Sequence, residues 1–251
     1  VRIKKKKRKP ILSRARTSAE AGAETRWQKI FRPVVSRWRL VAIVAGAVII
    51  TAGAVGGFFW YRNDREIRAA RAYGRIQTEA AARREEAVKK AGKEGRVDEE
   101  KLAAANRDDL EGVIGRFGNT GAGRAAMYEL ASLYFEKGDY KKAAELFRRV
   151  RTASAGLERK RAAKGVGDCL RAEGDYKAAI REYQGLYEES GDDFPATPVA
   201  MALADCYRKV GKSIEAAKLY RRILDYHRLS PYARDAAQRL AEVEALSEGP
   251  D

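Results

Sequence analysis

Two hydrophobic patterns divide this chain. From Leu40 to Trp60 the run LVAIVAGAVIITAGAVGGFFW holds 21 residues without a charged side chain. Beyond about residue 100, apolar residues return every three or four positions between charged ones, broken by Gly-containing turns. At about 1.5 Å per residue the first run covers roughly 31 Å as a helix, the thickness of a bilayer's hydrocarbon core. A helix satisfies its own backbone polar groups, so such a run can cross lipid. The second pattern predicts amphipathic helices packed on one another.

Charge orients the span. Residues 1–39 carry fourteen Lys or Arg against Glu20 and Glu24, whereas residues 61–80 carry five Arg. Positive-inside bias predicts a cytoplasmic N-terminus and a C-terminal part on the far side of the membrane. Trp38 at one end, and Trp60 and Tyr61 at the other, suit the two interfaces. A cleaved signal peptide would end in small residues, but this run exits through Phe58, Phe59, Trp60 and Tyr61. A buried core helix would rarely run so long without charge.

The net charge of +16 over 251 residues is concentrated in the tail, which contributes +12, leaving +4 for residues 61–251. Charge therefore does not indicate a nucleic-acid groove in the larger part. The block RIKKKKRK at residues 2–9 is expected to meet anionic lipid, although RNA or a ribosome would use the same charges. Trp27, Ile30, Phe31, Val34, Val35 and Trp38 follow helical spacing among basic residues, predicting an interfacial amphipathic segment that Pro33 weakens. Within the span, Ala42, Gly46, Gly53 and Gly57 form a stripe of small residues against which another helix can pack, either a second copy or a different membrane protein.

The expected organisation is a tail over residues 1–39, a span over 40–60, a stalk helix and degenerate hairpin over 61–119, three repeats over 120–229 and a cap over 230–251. In the stalk, Ile67, Ala70, Tyr73 and Ile76 share one face, and Asp98 and Thr120 are expected to cap the helices that follow them.

The repeat is the most specific signal. Leu130, Tyr134, Gly138, Ala143, Phe147 and Val150 recur as Val166, Leu170, Gly174, Ala179, Tyr183 and Leu186. They recur again as Leu203, Tyr207, Gly211, Ala216, Tyr220 and Ile223, with offsets of 36 and then 37 residues. Each unit reads as a helical hairpin: the glycine ends the first helix, Asp139, Asp175 or Ser213 caps the second, and the alanine lets the two approach. Such hairpins bury their apolar faces only by stacking. Ser230 and Pro231 are expected to start a capping helix that runs to about Leu246.

These residues, with L-A-x-x-Y-x-x-x-G-D-Y-x-x-A-x-x-x-F in the first copy, resemble the tetratricopeptide repeat over residues 124–229. The expected fold class is all-α, one N-terminal transmembrane helix followed by a tetratricopeptide-type solenoid. The layout of basic tail, single span and exported repeats resembles the ancillary SecYEG translocon subunit family. That resemblance implies a scaffold anchored in a bacterial inner (plasma) membrane with its repeats in the periplasm, whose partners are translocon subunits, chaperones or exported chains. A structural coordinator of envelope or cell-wall assembly would have the same layout.

The tetratricopeptide register places Tyr128, Ser132, Phe135, Arg161, Lys164, Asp168, Arg171, Met201, Asp205, Arg208 and Lys209 in a partner-binding groove. The bases suit a peptide with an acidic or carboxylate end, with Tyr128, Phe135 and Met201 offering apolar contacts. The paired asparagines of the family's carboxylate clamp are missing, and Asp168 and Asp205 stand in the groove instead. Cys169 and Cys206 are repeat-equivalent and read as buried thiols rather than a disulfide. With His227 they give no metal-ligand spacing. Gly121–Ala126 fits G-x-G-x-x-A but follows a helix, so no nucleotide cofactor is expected. No nucleophile and base pair points to an enzyme.

Overall fold

The computed structural model describes residues 38–92, 95–189 and 196–247, and all regular structure among them is helical. The basic block, the amphipathic segment up to residue 37, most of the 190–196 connection and the last four residues lie outside the described residues. The helices are α1 (Trp38–Ala91), α2 (Glu99–Phe117), α3 (Gly121–Glu136), α4 (Tyr140–Ala153), α5 (Gly156–Ala172), α6 (Tyr176–Glu188), α7 (Ala196–Lys209), α8 (Ser213–Tyr226) and α9 (Ala233–Ser247). The chain forms two units, residues 1–62 and 63–251, and the boundary falls within α1.

In the first unit, α1 exposes its apolar side chains: Ile43, Ile49, Ile50, Phe59 and Trp60 each lie open. Among the described residues it is the one helix long and apolar enough to cross a membrane, by length and composition. Thr51 hides its hydroxyl by donating to the carbonyls of Ala47 and Val48, both at 2.9 Å. Ala42 is exposed, and a Cβ added at Gly46, Gly53 or Gly57 would meet nothing within 4 Å.

In the second unit, helices from α2 to α9 each pack on the next, and α5 also meets α7. The hairpin turns follow the sequence logic. Gly138, Gly174 and Gly211 have φ of 85°, 86° and 78°, a left-handed backbone that closes α3, α5 and α7. Asp139 then accepts from the Lys142 amide and Asp175 from the Ala178 amide, capping α4 and α6. Asp98 and Thr120 cap α2 and α3 in the same way. Ser213 departs from expectation: it is the first residue of α8, and Lys212 holds the cap position without a side-chain bond. Lys212, not Ser213, is the residue that follows the turn glycine as Asp139 and Asp175 do, so this copy lacks the side-chain cap at the equivalent position.

From residue 63 onward α1 packs by a different edge than its sequence suggests. Ala69 and Ile76 are buried, with Ala72 and Tyr73 against the same core, while Ile67 and Ala70 are exposed. Polar contacts at neighbouring helix ends fix that edge. Glu66 Oε2 accepts from the Gly121 amide at the start of α3 at 2.9 Å, and Arg65 Nη2 donates to the Arg116 carbonyl near the end of α2 at 3.1 Å. Each side chain complements the partial charge of the terminus it touches. The cap also begins later than expected: Ser230 and Pro231 stand in a turn, with Ser230 Oγ accepting from the Tyr232 amide at 3.2 Å, ahead of α9.

Repeat-equivalent alanines build the core. Ala143, Ala179 and Ala216 are wholly buried where paired helices meet. Two glycines in α5 let rings approach its backbone. A Cβ at Gly165 would stand 2.8 Å from the Phe147 ring, and one at Gly167 would stand 2.7 Å from the Tyr183 ring. The helix thus takes rings from α4 and α6 on its two sides.

Candidate partner-binding groove

The first helices of the three hairpins are α3, α5 and α7, and the offsets of 36 and 37 residues make their side chains correspond. Tyr128, Lys164 and Met201 are equivalent, as are Ser132, Asp168 and Asp205, and Phe135, Arg171 and Arg208. One helical stripe, repeated three times, supplies nearly all the expected groove residues.

Two regions of that face are hollow. A cavity of about 690 Å³ lies between α3 and α5, walled by Ala125, Tyr128 and Ser132 on one side and Leu157, Glu158 and Arg161 on the other. Tyr73 and Gln77 of α1 and Glu129 of α3 complete it. Glu129 accepts from Tyr73 Oη at 2.8 Å, from Gln77 Nε2 and, more distantly, from Asn106 Nδ2 at 3.4 Å. Burial and the Glu129 carboxylate push the Tyr73 hydroxyl up to about 12, so it stays a donor. Arg124 Nε donates to both oxygens of Glu158 at 3.2 Å.

Further along α5 lies a smaller polar depression. Lys164, Asp168 and Arg171 face Pro198, Met201 and Asp205 of α7, while Tyr232 of the turn before α9 and Asp235 and Arg239 of α9 close the side. An adjoining hollow is lined by Arg171, Tyr176, Arg208, Lys209 and Arg239, among others. Asp168 is held by Lys164 Nζ at 2.7 Å, by Tyr183 Oη at 2.6 Å and by Arg171 at 3.8 Å. Asp205 accepts from Tyr220 Oη at 2.7 Å and pairs with Arg239. Burial, reinforced by the aspartates, raises both tyrosine hydroxyls far above their ordinary range.

Nine of the eleven expected groove residues therefore line these hollows as open or half-open side chains. Met201 lines the polar depression but is only 6% exposed, its side chain being taken up by a core that includes Ala204 and Tyr220. Phe135 lines neither hollow; its ring packs on Tyr140 with centroids 5.3 Å apart. Sequence reasoning missed Tyr73, Gln77, Tyr232, Asp235 and Arg239, because these segments lie outside the repeat register. The one signal for Tyr73 was its helical spacing with Ile76 on the stalk.

Cys169 and Cys206 are free and buried, and burial pushes their thiols up to about 12 and about 11. Among the described residues no group of His, Cys, Asp or Glu is arranged to hold a metal ion.

The family profile for tetratricopeptide repeats matches residues 97–158 and 128–194. Among solved structures, a putative kinesin light chain from Podosopora anserina with nearly identical TPR-like repeats is 16% identical at a TM-score of 0.52, covering 68% of this chain and 85% of that one. A second structure of those repeats is 14% identical at a TM-score of 0.42, covering 75% and 97%. The TPR domain of Arabidopsis FLU is 23% identical at 0.39, covering 43% and 96%. No curated protein matches the chain. The match thus assigns tetratricopeptide repeats to residues 97–194, within an all-helical fold of stacked hairpins, and repeats of this class bind protein partners.

Proposed function

We propose that this chain is a membrane-anchored interaction scaffold of the bacterial envelope, holding partner proteins or chaperones beside the protein translocon. The observation that carries the binding role is the cavity of about 690 Å³, built from side chains on successive first helices and open to a ligand. Largely apolar clefts with a few placed polar groups are the usual form of a binding site.

The anchor is α1, whose uncharged segment exposes Ile, Val, Phe and Trp side chains that water would not tolerate in such number. Residues 1–39 then lie in the cytoplasm with their basic block on anionic lipid, residues 40–60 span, and the part from residue 61 is periplasmic. Ala42, Gly46, Gly53 and Gly57 offer the face on which a translocon helix or a second copy packs. Tethering the groove beside the channel makes a second, individually weak contact nearly intramolecular. The resemblance to the ancillary SecYEG subunit family supports this placement.

Purification of the tagged full chain from detergent-solubilised membranes tests the reading. Translocon subunits and periplasmic chaperones should co-purify, and protease added outside the inner membrane should cleave the repeats. Recovery of cell-wall or outer-membrane assembly proteins instead would make the chain a coordinator of that assembly.

A further inference from the structure

The two hollows on the first-helix face border successive stretches of α5 but differ in chemistry. Leu157, Arg161, Lys164, Asp168 and Arg171 fall within an arc of about 80° at roughly 100° per residue. Arg161, in the first cavity, stands about 10 Å along the helix axis from Asp168, in the second. An extended chain covers that distance in about three residues.

The walls of the first hollow include Tyr73, Ala125, Tyr128 and Leu157, and its two carboxylates are already engaged. Tyr73 and Gln77 hold Glu129, and Arg124 holds Glu158. Arg161 is exposed at its edge and makes no ion pair among the described residues. In the second region, Lys164, Arg171, Arg208, Lys209 and Arg239 outnumber Asp168, Asp205 and Asp235. Tyrosine hydroxyls and cations already occupy Asp168 and Asp205. Lys209 is exposed without an ion pair, and Arg208 keeps a buried Nε with no acceptor while its Nη1 reaches Glu242 only at 3.7 Å. Donors are left over here, and the carboxylates of α5 and α7 are spent.

We propose that the groove selects an extended protein segment in which an aromatic or large aliphatic residue lies about three positions from a pair or more of acidic residues. The apolar side chain enters the cavity between α3 and α5. The carboxylates meet Arg161 and then the Lys164, Arg171 and Lys209 cations, where charge-assisted hydrogen bonds are strongest. A basic segment would find Asp235 as its one unpaired carboxylate there among the described residues, against the surplus of cations. The acidic groups are side chains within the segment, so a free chain end is not required.

This inference rests on the groove being the partner site, and the test separates the two claims. Short synthetic peptides, acetylated and amidated at their ends and fluorescently labelled, are titrated into the full chain in detergent. The reference peptide carries Phe with Glu residues three positions on; in the others Lys replaces Glu, or Ser replaces Phe. The reference should bind, each replacement should weaken binding by about tenfold or more, and Arg161→Glu should remove the preference for Glu over Lys. Equal binding of the Glu and Lys peptides, or binding of none, overturns the acidic selectivity. If co-purified partners are nevertheless lost in a Tyr128→Glu, Arg161→Glu variant, the groove reading stands without it. If those partners are retained, the groove reading fails as well.

Discussion

Tyr183 Oη donates to Asp168 Oδ1 at 2.6 Å across the second hairpin, and Tyr220 repeats the bond to Asp205 at 2.7 Å in the third. In the first hairpin the equivalent positions are Phe147 and Ser132, so hydroxyl and carboxylate are absent together. Ser132 Oγ instead donates to the Tyr128 carbonyl at 3.1 Å. The bond joins the buried hairpin interface to the groove, since Asp168 and Asp205 line it. It also explains how two aspartates stand among ordinary core contacts without being free to meet a ligand.

That pairing predicts a coupled substitution. Phe147→Tyr alone buries a hydroxyl without its carboxylate and should cost about 1–3 kcal/mol. Adding Ser132→Asp should recover most of the loss, giving a favourable coupling in a double-mutant cycle measured by urea unfolding. Additive costs would mean that the hydroxyl finds another partner.

One glycine in α5 and one in α6 predict opposite responses to alanine. At Gly167 the new methyl group would collide with the Tyr183 ring, and the variant should lose about 1–3 kcal/mol despite alanine's better helix propensity. At Gly185 in α6 nothing lies within 4 Å, so the same change should gain about 0.5–1 kcal/mol. Thermal melting of both variants against the parent protein checks the contrast.

Stability should fall on the alkaline side. The Cys169, Cys206, Tyr73, Tyr183 and Tyr220 groups all have pKa values raised by folding, with burial the leading cause. Each therefore holds its proton in the folded chain after the unfolded chain has lost it. The unfolded state then binds fewer protons, and stability declines as pH rises past about 9 for the thiols and about 10 for the hydroxyls. Chemical denaturation between neutral pH and about pH 11 should show that decline, and Tyr183→Phe should make it shallower.

The contact between Glu66 and the start of α3 predicts a local effect. Glu66→Gln weakens the charge at that terminus, worth up to about 1 kcal/mol. Hydrogen exchange should quicken over residues 63–91 and hardly change in α5 to α8. Uniform acceleration through every helix would contradict this division.

The repeat was legible because each hairpin uses the same few residue types for the same physical reasons. Gly138, Gly174 and Gly211 need a left-handed backbone, and Ala143, Ala179 and Ala216 need close packing. Local rules also served for the Asp139 and Asp175 caps, and failed at Ser213, which stands one place after the equivalent position, held by Lys212. The lining of the hollows was legible only where it follows the register. Tyr73 on α1 and Arg239 on α9 reach it through tertiary packing that no repeat spacing encodes. Met201 and Phe135 sit at groove positions by register, yet core contacts take up Met201 and the Tyr140 ring takes Phe135.

The most direct test of the central claim is photocrosslinking in intact cells, with probes placed one at a time at Tyr128 and Ser132 in the cavity and at Glu145 and Lys218 on the exposed faces of α4 and α8. The account predicts defined protein adducts from Tyr128 and Ser132 that the probes at Glu145 and Lys218 do not give. Equal capture from all four positions, or none from the cavity, would contradict it.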